Sequence, residues 1–285
     1  MSKDLSLRIE ERFPAFSKGQ RRIAEAIIKN YDRAAYMTAA KLGEMVGVSE
    51  STVVRFAILL GFRGYPELQK AIQELVRAKL TPNQRIEVTN LRFAGGDILD
   101  NVLMADVNKI KYTLENIDRV AFARAVEALH TAKNIYIVGV RSSSSLASFF
   151  NFNLGLILDN VKFVQPTSSS EVFEQLLDIG SGDAMLAISF PRYSAKIVNA
   201  VRYANRSGAT VIALTDSALS PIATDSACVL TAQSDMASFV DSLVAPLSII
   251  NALLVALTNK RENEVKARFD KLERVWSEYE VYAKQ

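Results

Sequence analysis

Two glycines four positions apart, Gly43 and Gly47, constrain this chain more tightly than any other feature. They lie in the stretch Thr38 to Phe62, TAAKLGEMVGVSESTVVRFAILLGF, which holds two short runs of helical periodicity. Gly47 falls between the runs, where a positive φ is cheap only for glycine. Gly43 lies inside the first run, where a crossing second helix would clash with any side chain. Leu42, Val46, Val48, Val53 and Phe56 are apolar. On two helices joined by a tight turn, these five positions face one shared core. Ser49 follows the turn as N-cap, its hydroxyl placed to accept from the amide of Ser51 or Thr52.

The outward positions are then Ser49, Glu50, Ser51, Thr52 and Arg55, with Val54 beside them. Short hydroxyls and free amides near a helix N-terminus suit phosphates. An arginine one turn along can fork onto a guanine edge, and a valine suits a thymine methyl. An ordinary helical hairpin with a polar face needs none of this agreement. The pattern points to a helix-turn-helix that contacts double-stranded DNA.

The charge distribution agrees. Of 285 residues, the first 90 hold 15 Lys and Arg against 10 Asp and Glu, whereas residues 91–285 hold 19 against 21. The basic excess sits with the helix-turn-helix. A chain of this length suggests about two domains. The single cysteine, Cys228, excludes a disulfide framework and a cysteine zinc site, so no metal and no cofactor are expected. The start is charged, and the most apolar run, Phe239 to Thr258, is interrupted by Asp241, Pro246 and Asn251. It reads as one buried or interface helix and not a span, so a soluble, cytoplasmic protein without membrane contact is expected.

In chain order, residues 4–13 read as a short amphipathic helix ended by Pro14. Ser17 caps a second helix to about Asn30, with Ile23, Ala24, Ile27 and Ile28 as its apolar stripe. After the helix-turn-helix, Pro66 starts a helix through Leu80, with Leu68, Ile72, Leu75 and Val76 inward. Residues 1–80 thus read as an all-α domain. Thr81 to Asp97 has turn formers and little periodicity and reads as a linker. Residues 98–285 read as an α/β domain. Two helices, about Ile98–Asn116 and Arg119–Ala132, lead in, the second capped by Asp118. Then NIYIVGV, VKFVQP, AMLAISF, TVIALTD and CVLTA alternate with helical segments. This alternation predicts a parallel sheet covered by helices on both faces. The Phe239–Thr258 helix and a polar one from about Arg261 to Tyr282 close the domain.

Ligands of such sheets bind beyond the carboxyl ends of the strands. Those ends are rich in hydroxyls here. The first strand ends in Gly139 and runs into Arg141, Ser142, Ser143, Ser144 and Ser145, and the second runs into Thr167, Ser168, Ser169 and Ser170 with Glu171 just after. The third ends in Ser189 and runs into Arg192, Tyr193 and Ser194, and the fourth ends in Thr215, Asp216 and Ser217. Any one serine is explained as a loop residue or cap. Clusters at three neighbouring strand ends, with two arginines, point to an anion site.

With VSESTVVRF and LGFRGYPELQKAI, the helical domain resembles that of the RpiR family of bacterial transcriptional regulators. The second domain resembles the SIS, or sugar isomerase, domain that follows it in that family. The resemblance implies a regulator of catabolic genes that senses a phosphorylated sugar or sugar acid and acts as a homodimer or homotetramer. It implies that Ser143 belongs to the first phosphate loop and that Ser189 and Ser194 frame the second. Arg141 stands where the first loop often has glycine. Pro191 and Arg192 stand where the second often has serine and glycine. The alternative is a phosphosugar isomerase fused to a DNA-binding domain, which needs a base and an acid. The only histidine, His130, is placed before the first strand, away from the pocket, and Glu171 is the best-placed carboxylate. A regulator without catalysis is the expectation. A nucleoid protein with a vestigial second domain is a third class, against which the ordered pocket argues.

Overall fold

The computed structural model describes residues 5, 8, 9, 11–29, 31–79, 81–92, 97–165, 168, 170–236 and 238–282. The chain forms two compact units, Met1–Gly95 and Gly96–Gln285.

The first unit is helical. Of residues 4–13, those described are helical up to Arg12, and a 3-10 turn, Phe13–Ala15, follows. Next come α1 (Lys18–Lys29), α2 (Tyr31–Ala34), α3 (Ala39–Val46), α4 (Glu50–Leu59), α5 (Tyr65–Lys79) and α6 (Pro82–Arg92). Ser17 and Gln20 cap α1 reciprocally: Gln20 N donates to Ser17 Oγ, and Ser17 N to Gln20 Oε1. Ile23, Ala24 and Ile27 of α1 are buried with Leu42, Val53, Phe56, Leu68 and Ile72. Ile28, five positions after Ile23, turns out of the stripe and is exposed. Val46 and Val48 are only half-buried, because both flank the turn at the edge of the core. The side chains of Leu75 and Val76, with Asn30 and Leu80, lie outside the described residues.

The segment read as a linker contains a helix. Thr81 and Gln84 form a second reciprocal cap, Gln84 N to Thr81 Oγ1 and Thr81 N to Gln84 Oε1. Pro82 takes the first helical position, where its missing N–H costs nothing. The inward side chains of α6 are Arg85 and Thr89, which an apolar-periodicity criterion passes over. The compact unit therefore runs past residue 80 to Gly95.

The second unit opens with α7 (Ile98–Asn116) and α8 (Arg119–Thr131), capped by Asp97 and Asp118. The sheet follows as β1 (Ile135–Gly139), α9 (Ser143–Ile157), β2 (Val161–Val164), α10 (Glu171–Gln175), β3 (Ala184–Ile188), α11 (Ala195–Arg206), β4 (Thr210–Thr215) and β5 (Cys228–Thr231). Helices α12 (Val244–Lys260) and α13 (Glu262–Glu278) close it. The five strands are all parallel, in the order β2-β1-β3-β4-β5. Ile135, Ile137, Leu186 and Ile212 face α8, α9 and α12, while Tyr136, Val138, Met185 and Val211 face α10 and α11. Both sets are apolar, as a two-sided parallel sheet requires. Cys228 is buried in β5.

The closing apolar helix begins at Val244 and not at Phe239. Pro246 lacks an N–H, and its ring would collide with the carbonyl four residues back, so it fits only in the first turn. The preceding residues fold back instead, with Met236 bridging Asp241. Among the described residues no helix is long and apolar enough to cross a membrane.

The entry to the helix-turn-helix is held from α5. Tyr65 donates its phenol to the Met37 carbonyl at 2.8 Å, Gln69 Nε2 donates to the same oxygen at 2.8 Å, and Gln73 Nε2 donates to Ala35 O at 2.9 Å. Burial pushes the Tyr65 phenol up to about 12. The folded unit thus holds this proton more tightly than the unfolded chain. Its contribution is complete below pH 10 and is lost as pH rises towards 12, by at most about 1.4 kcal/mol per pH unit. Tyr65→Phe is expected to cost about 1 kcal/mol at neutral pH and to lose less stability than the wild type between pH 9 and pH 11. Urea unfolding followed by circular dichroism across this range measures both.

Candidate nucleic-acid interface and effector site

In the first unit the site is built on the α3–α4 turn. Thr38 caps α3, accepting from Lys41 N at 3.2 Å. Gly47 ends it in the left-handed region, with φ 67° and ψ 46°. Val48 N donates back to Gly43 O at 2.8 Å, and this brings the Val48 carbonyl over Gly43. A Cβ at position 43 would lie 2.7 Å from that oxygen, inside any tolerable contact. The obstacle is thus the turn and not the body of the second helix.

Ser49 caps α4, its Oγ accepting from Thr52 N at 3.3 Å. The same oxygen lies 3.0 Å from Ser51 Oγ and 2.8 Å from Thr52 Oγ1. Three hydroxyls are thereby gathered over the positive end of the helix. Arg55 folds back along α4, donating from Nε to Ser51 O at 3.2 Å and from Nη2 to Ser51 Oγ at 3.5 Å. Ser49, Glu50, Ser51, Val54 and Arg55 line one open surface depression. Thr52 and Val54 are half-buried and the other four are exposed. Arg22 of α1 joins them: its Nη2 donates to Gly47 O at 3.1 Å and its guanidinium borders the turn. Sequence reading did not single it out, since it looked like one more charge on the exposed side of α1.

In the second unit the chain runs from β1 outward to β2 on one side, then returns to place β3 on the other. The crevice between the carboxyl ends of β1 and β3 is therefore the topological switch point. Gly139 and Ile188 pair across it. Gly139 has no room for a side chain, because a Cβ would lie 2.7 Å from Ser143 O and 3.1 Å from Ala147 Cβ. Helix α9 can therefore start directly against the strand.

Arg141 and Arg192, one on each side of the crevice, both have positive φ, 57° and 66°. Both are exposed. The Arg141 turn is closed by Ser144, whose N and Oγ donate to Arg141 O at 3.1 and 2.6 Å. Ser143, first in α9, is buried, as is Ser189 after β3. Ser142 and Ser194 occupy the N-cap positions of α9 and α11, and neither hydroxyl bonds to its helix amides. Tyr193 OH donates to Asp216 Oδ1 at 2.7 Å, and Thr215 Oγ1 donates to the same oxygen at 3.2 Å. The end of β4 thus pins the loop that carries Arg192. No spacing in the sequence announces this bond.

The third cluster is less open. Glu171 Oε2 accepts from Ser168 N at 3.2 Å, Ser168 Oγ accepts from Glu171 N at 3.2 Å, and Gln175 Nε2 donates to Glu171 Oε1 at 3.3 Å. Glu171 is thus the acid of a capping box. Ser170 Oγ lies 3.2 Å from Ser168 Oγ, and Thr167 and Ser169 lie outside the described residues. His130, at the end of α8, accepts from Arg261: Nε to His130 Nδ1 at 3.3 Å and Nη2 to its carbonyl at 2.7 Å. It lies before β1, at the amino ends of the strands. Among the described residues no three metal-ligating side chains converge.

Comparison with known proteins follows this division. Residues 3–79 match the helix-turn-helix domain, rpiR family, and residues 128–256 match the SIS domain. The HTH-type transcriptional regulator HexR of Escherichia coli is 28% identical over 279 residues, covering 94% of this chain and 91% of that one. The regulator of the same name from Pseudomonas aeruginosa is 27% identical over 270 residues, covering 91% and 90%. In fold, the Vibrio vulnificus NanR protein complexed with ManNAc-6P covers 98% of this chain and 100% of its own at 24% identity and TM-score 0.61. The sugar isomerase domain of an RpiR transcription factor from Sphaerobacter thermophilus covers 61% of this chain and 97% of its own, at 26% identity and TM-score 0.58. With both domains present in that order, the chain belongs to the RpiR family of helix-turn-helix transcriptional regulators.

Proposed function

We propose that α4 reads a DNA operator and that the crevice between β1 and β3 binds a phosphorylated sugar or sugar acid whose occupancy changes operator affinity. Ser49, Ser51, Thr52 and Arg22 hold phosphates, and Arg55 and Val54 reach base edges. Two copies would present two reading helices to half-sites about one helical turn apart. The effector acts only through a difference in its affinity for the two states of the protein. The sensing role is favoured over isomerase chemistry because the two candidate proton carriers are engaged elsewhere, His130 with Arg261 and Glu171 in a capping box.

One observation carries the sensing half: both loops of the crevice hold an arginine in the left-handed region. That conformation costs roughly 1–2 kcal/mol for a residue with a side chain. Glycine would adopt it freely, so the guanidinium at each position is kept against a conformational cost. A pocket for a multiply charged anion accounts for both. The Ser143 and Ser189 hydroxyls and the amides at the start of α9 and α11 supply the remaining donors.

Arg141→Gly and Arg192→Gly are each expected to raise the unfolding free energy by about 0.5–1 kcal/mol, strain relief exceeding the added chain entropy of glycine. Each is also expected to weaken effector binding at least tenfold, as losing a charge-assisted contact should. Denaturation curves and calorimetric titration with a panel of phosphorylated sugars and sugar acids test the two halves separately. Reduced stability with unchanged binding would remove the arginines from the pocket.

Arg55→Ala is expected to abolish specific binding to the DNA flanking the protein's own gene while leaving effector binding intact, read by fluorescence anisotropy. Retained operator affinity in that variant would overturn the groove assignment.

A further inference from the structure

Helix α7 is built the wrong way round for a lone surface helix. Its inward face, against α12 and the loops before it, is polar. Lys109 is only 4% exposed and donates to Asp106 Oδ1 at 2.9 Å. Ser242 Oγ donates to the same oxygen at 2.7 Å, and Gln233 N donates to Thr113 Oγ1 at 2.9 Å. Its outward face carries Leu99, Leu103, Val107, Ile110 and Leu114, of which Leu99, Leu103 and Leu114 are 65%, 54% and 60% exposed. At 100° per residue these five fall within an arc of about 80°, along about 22 Å of helix. Turning the helix over would bury the leucines but strand a buried lysine, an aspartate and a threonine, so its orientation is fixed by its own hydrogen bonds. An apolar stripe of this length left in water marks a contact surface.

We propose that this stripe is an interface between two copies of the chain, with the two α7 helices packed antiparallel about a two-fold axis through Val107. The stripe is self-complementary in that arrangement. Its midpoint lies at Val107, so Val107 meets its own copy. Leu103 then lies level with Ile110 of the second copy, and Leu99 with Leu114. The flanking charges choose the direction. Asp100 and Lys111 lie on the same side of the stripe, near opposite ends. Antiparallel packing keeps both residues on the same side of the contact and brings each aspartate near the other copy's lysine, whereas parallel packing would place them on opposite sides of it and align the two helix dipoles.

The test uses the full chain. Sedimentation equilibrium is expected to give the wild type a mass of at least two chains, and Leu103→Glu/Ile110→Glu half the wild-type mass, because four carboxylates then meet at one contact. A second measurement does not depend on that variant folding. Under diamide, Val107→Cys is expected to form a chain-to-chain disulfide on a non-reducing gel, and Leu99→Cys is not. The native thiol does not compete, since Cys228 is buried and burial pushes its pKa up. A wild type of one-chain mass overturns the proposal, as does an unchanged mass in the double variant. Val107→Cys that does not cross-link overturns it too, pointing to another part of the same chain as the cover. Cross-linking of both cysteine variants overturns the antiparallel arrangement.

Discussion

All five strands of the sheet run the same way, and the second unit follows from that. Each connection must recross the sheet, so helices seal both faces and the polar groups gather at the strand ends. The two ends are used differently. At the amino ends, Asp183 accepts from Asn134 N, Asn134 Nδ2 and Gly180 N, and Asn160 donates to the carbonyls of Ala132 and Lys133. The polar side chains there close turns. At the carboxyl ends, the hydroxyls of Ser142 and Ser194 do not cap their helices, and two arginines occupy strained turns. The contrast separates structural polarity from polarity available to a ligand.

The first unit rests on a different constraint. Its helices are short, and α4 is only ten residues long, with Val53, Phe56 and Ala57 as its buried side chains. Packing alone would leave the α3–α4 turn loosely set. It is fixed instead by backbone economy: Gly43 lets the Val48 carbonyl approach, Gly47 reverses the chain, and Tyr65, Gln69 and Gln73 occupy the carbonyls just upstream. A reading helix must hold its first turn steady, and each of these contacts acts within a dozen residues of Ser49 or on the segment leading into it.

The elements written in apolar periodicity or in glycine were legible in the sequence. Leu42, Val53, Phe56 and the five strands all fall into this class, and single caps such as Asp118 were legible from their place just before a helix. Most other features that depend on polar pairing were not. Helix α6 escaped because its inward residues are Arg85 and Thr89 and its start is set by a Thr81–Gln84 exchange. The start of α12 was misplaced because an apolar run does not show where Pro246 can be tolerated. In the candidate site, the residue types at the strand ends were readable. The left-handed backbone of Arg141 and Arg192 was not, because arginine carries no conformational signature as glycine does. Nor was the Tyr193–Asp216 bond, which joins residues 23 positions apart. The run of hydroxyls after β2 likewise did not show that Ser168 and Glu171 complete a capping box.

The second unit also offers a route by which its crevice and its apolar stripe can influence one another. The loop after β1 leads directly into α9, which sits against Gly139 with no slack for a side chain. Helix α9 packs on α12, and α12 packs on α7. On the proposed reading, an anion drawn to Arg141 and the first amides of α9 would bear on the end of that helix, and a tilt of α9 would be passed on because close-packed interiors resist compression. On the proposed pairing, α7 is where such a tilt becomes a change in the angle between two copies. The polar inward face of α7 suits this role. Hydrogen bonds donated by Ser242 to Asp106 and by Gln233 N to Thr113 hold it to the loops before α12 in one register, so it moves with its unit as a rigid piece and does not slide over an oily contact. Buried polar contacts used in this way add little stability, but they fix a register that apolar packing alone would leave free.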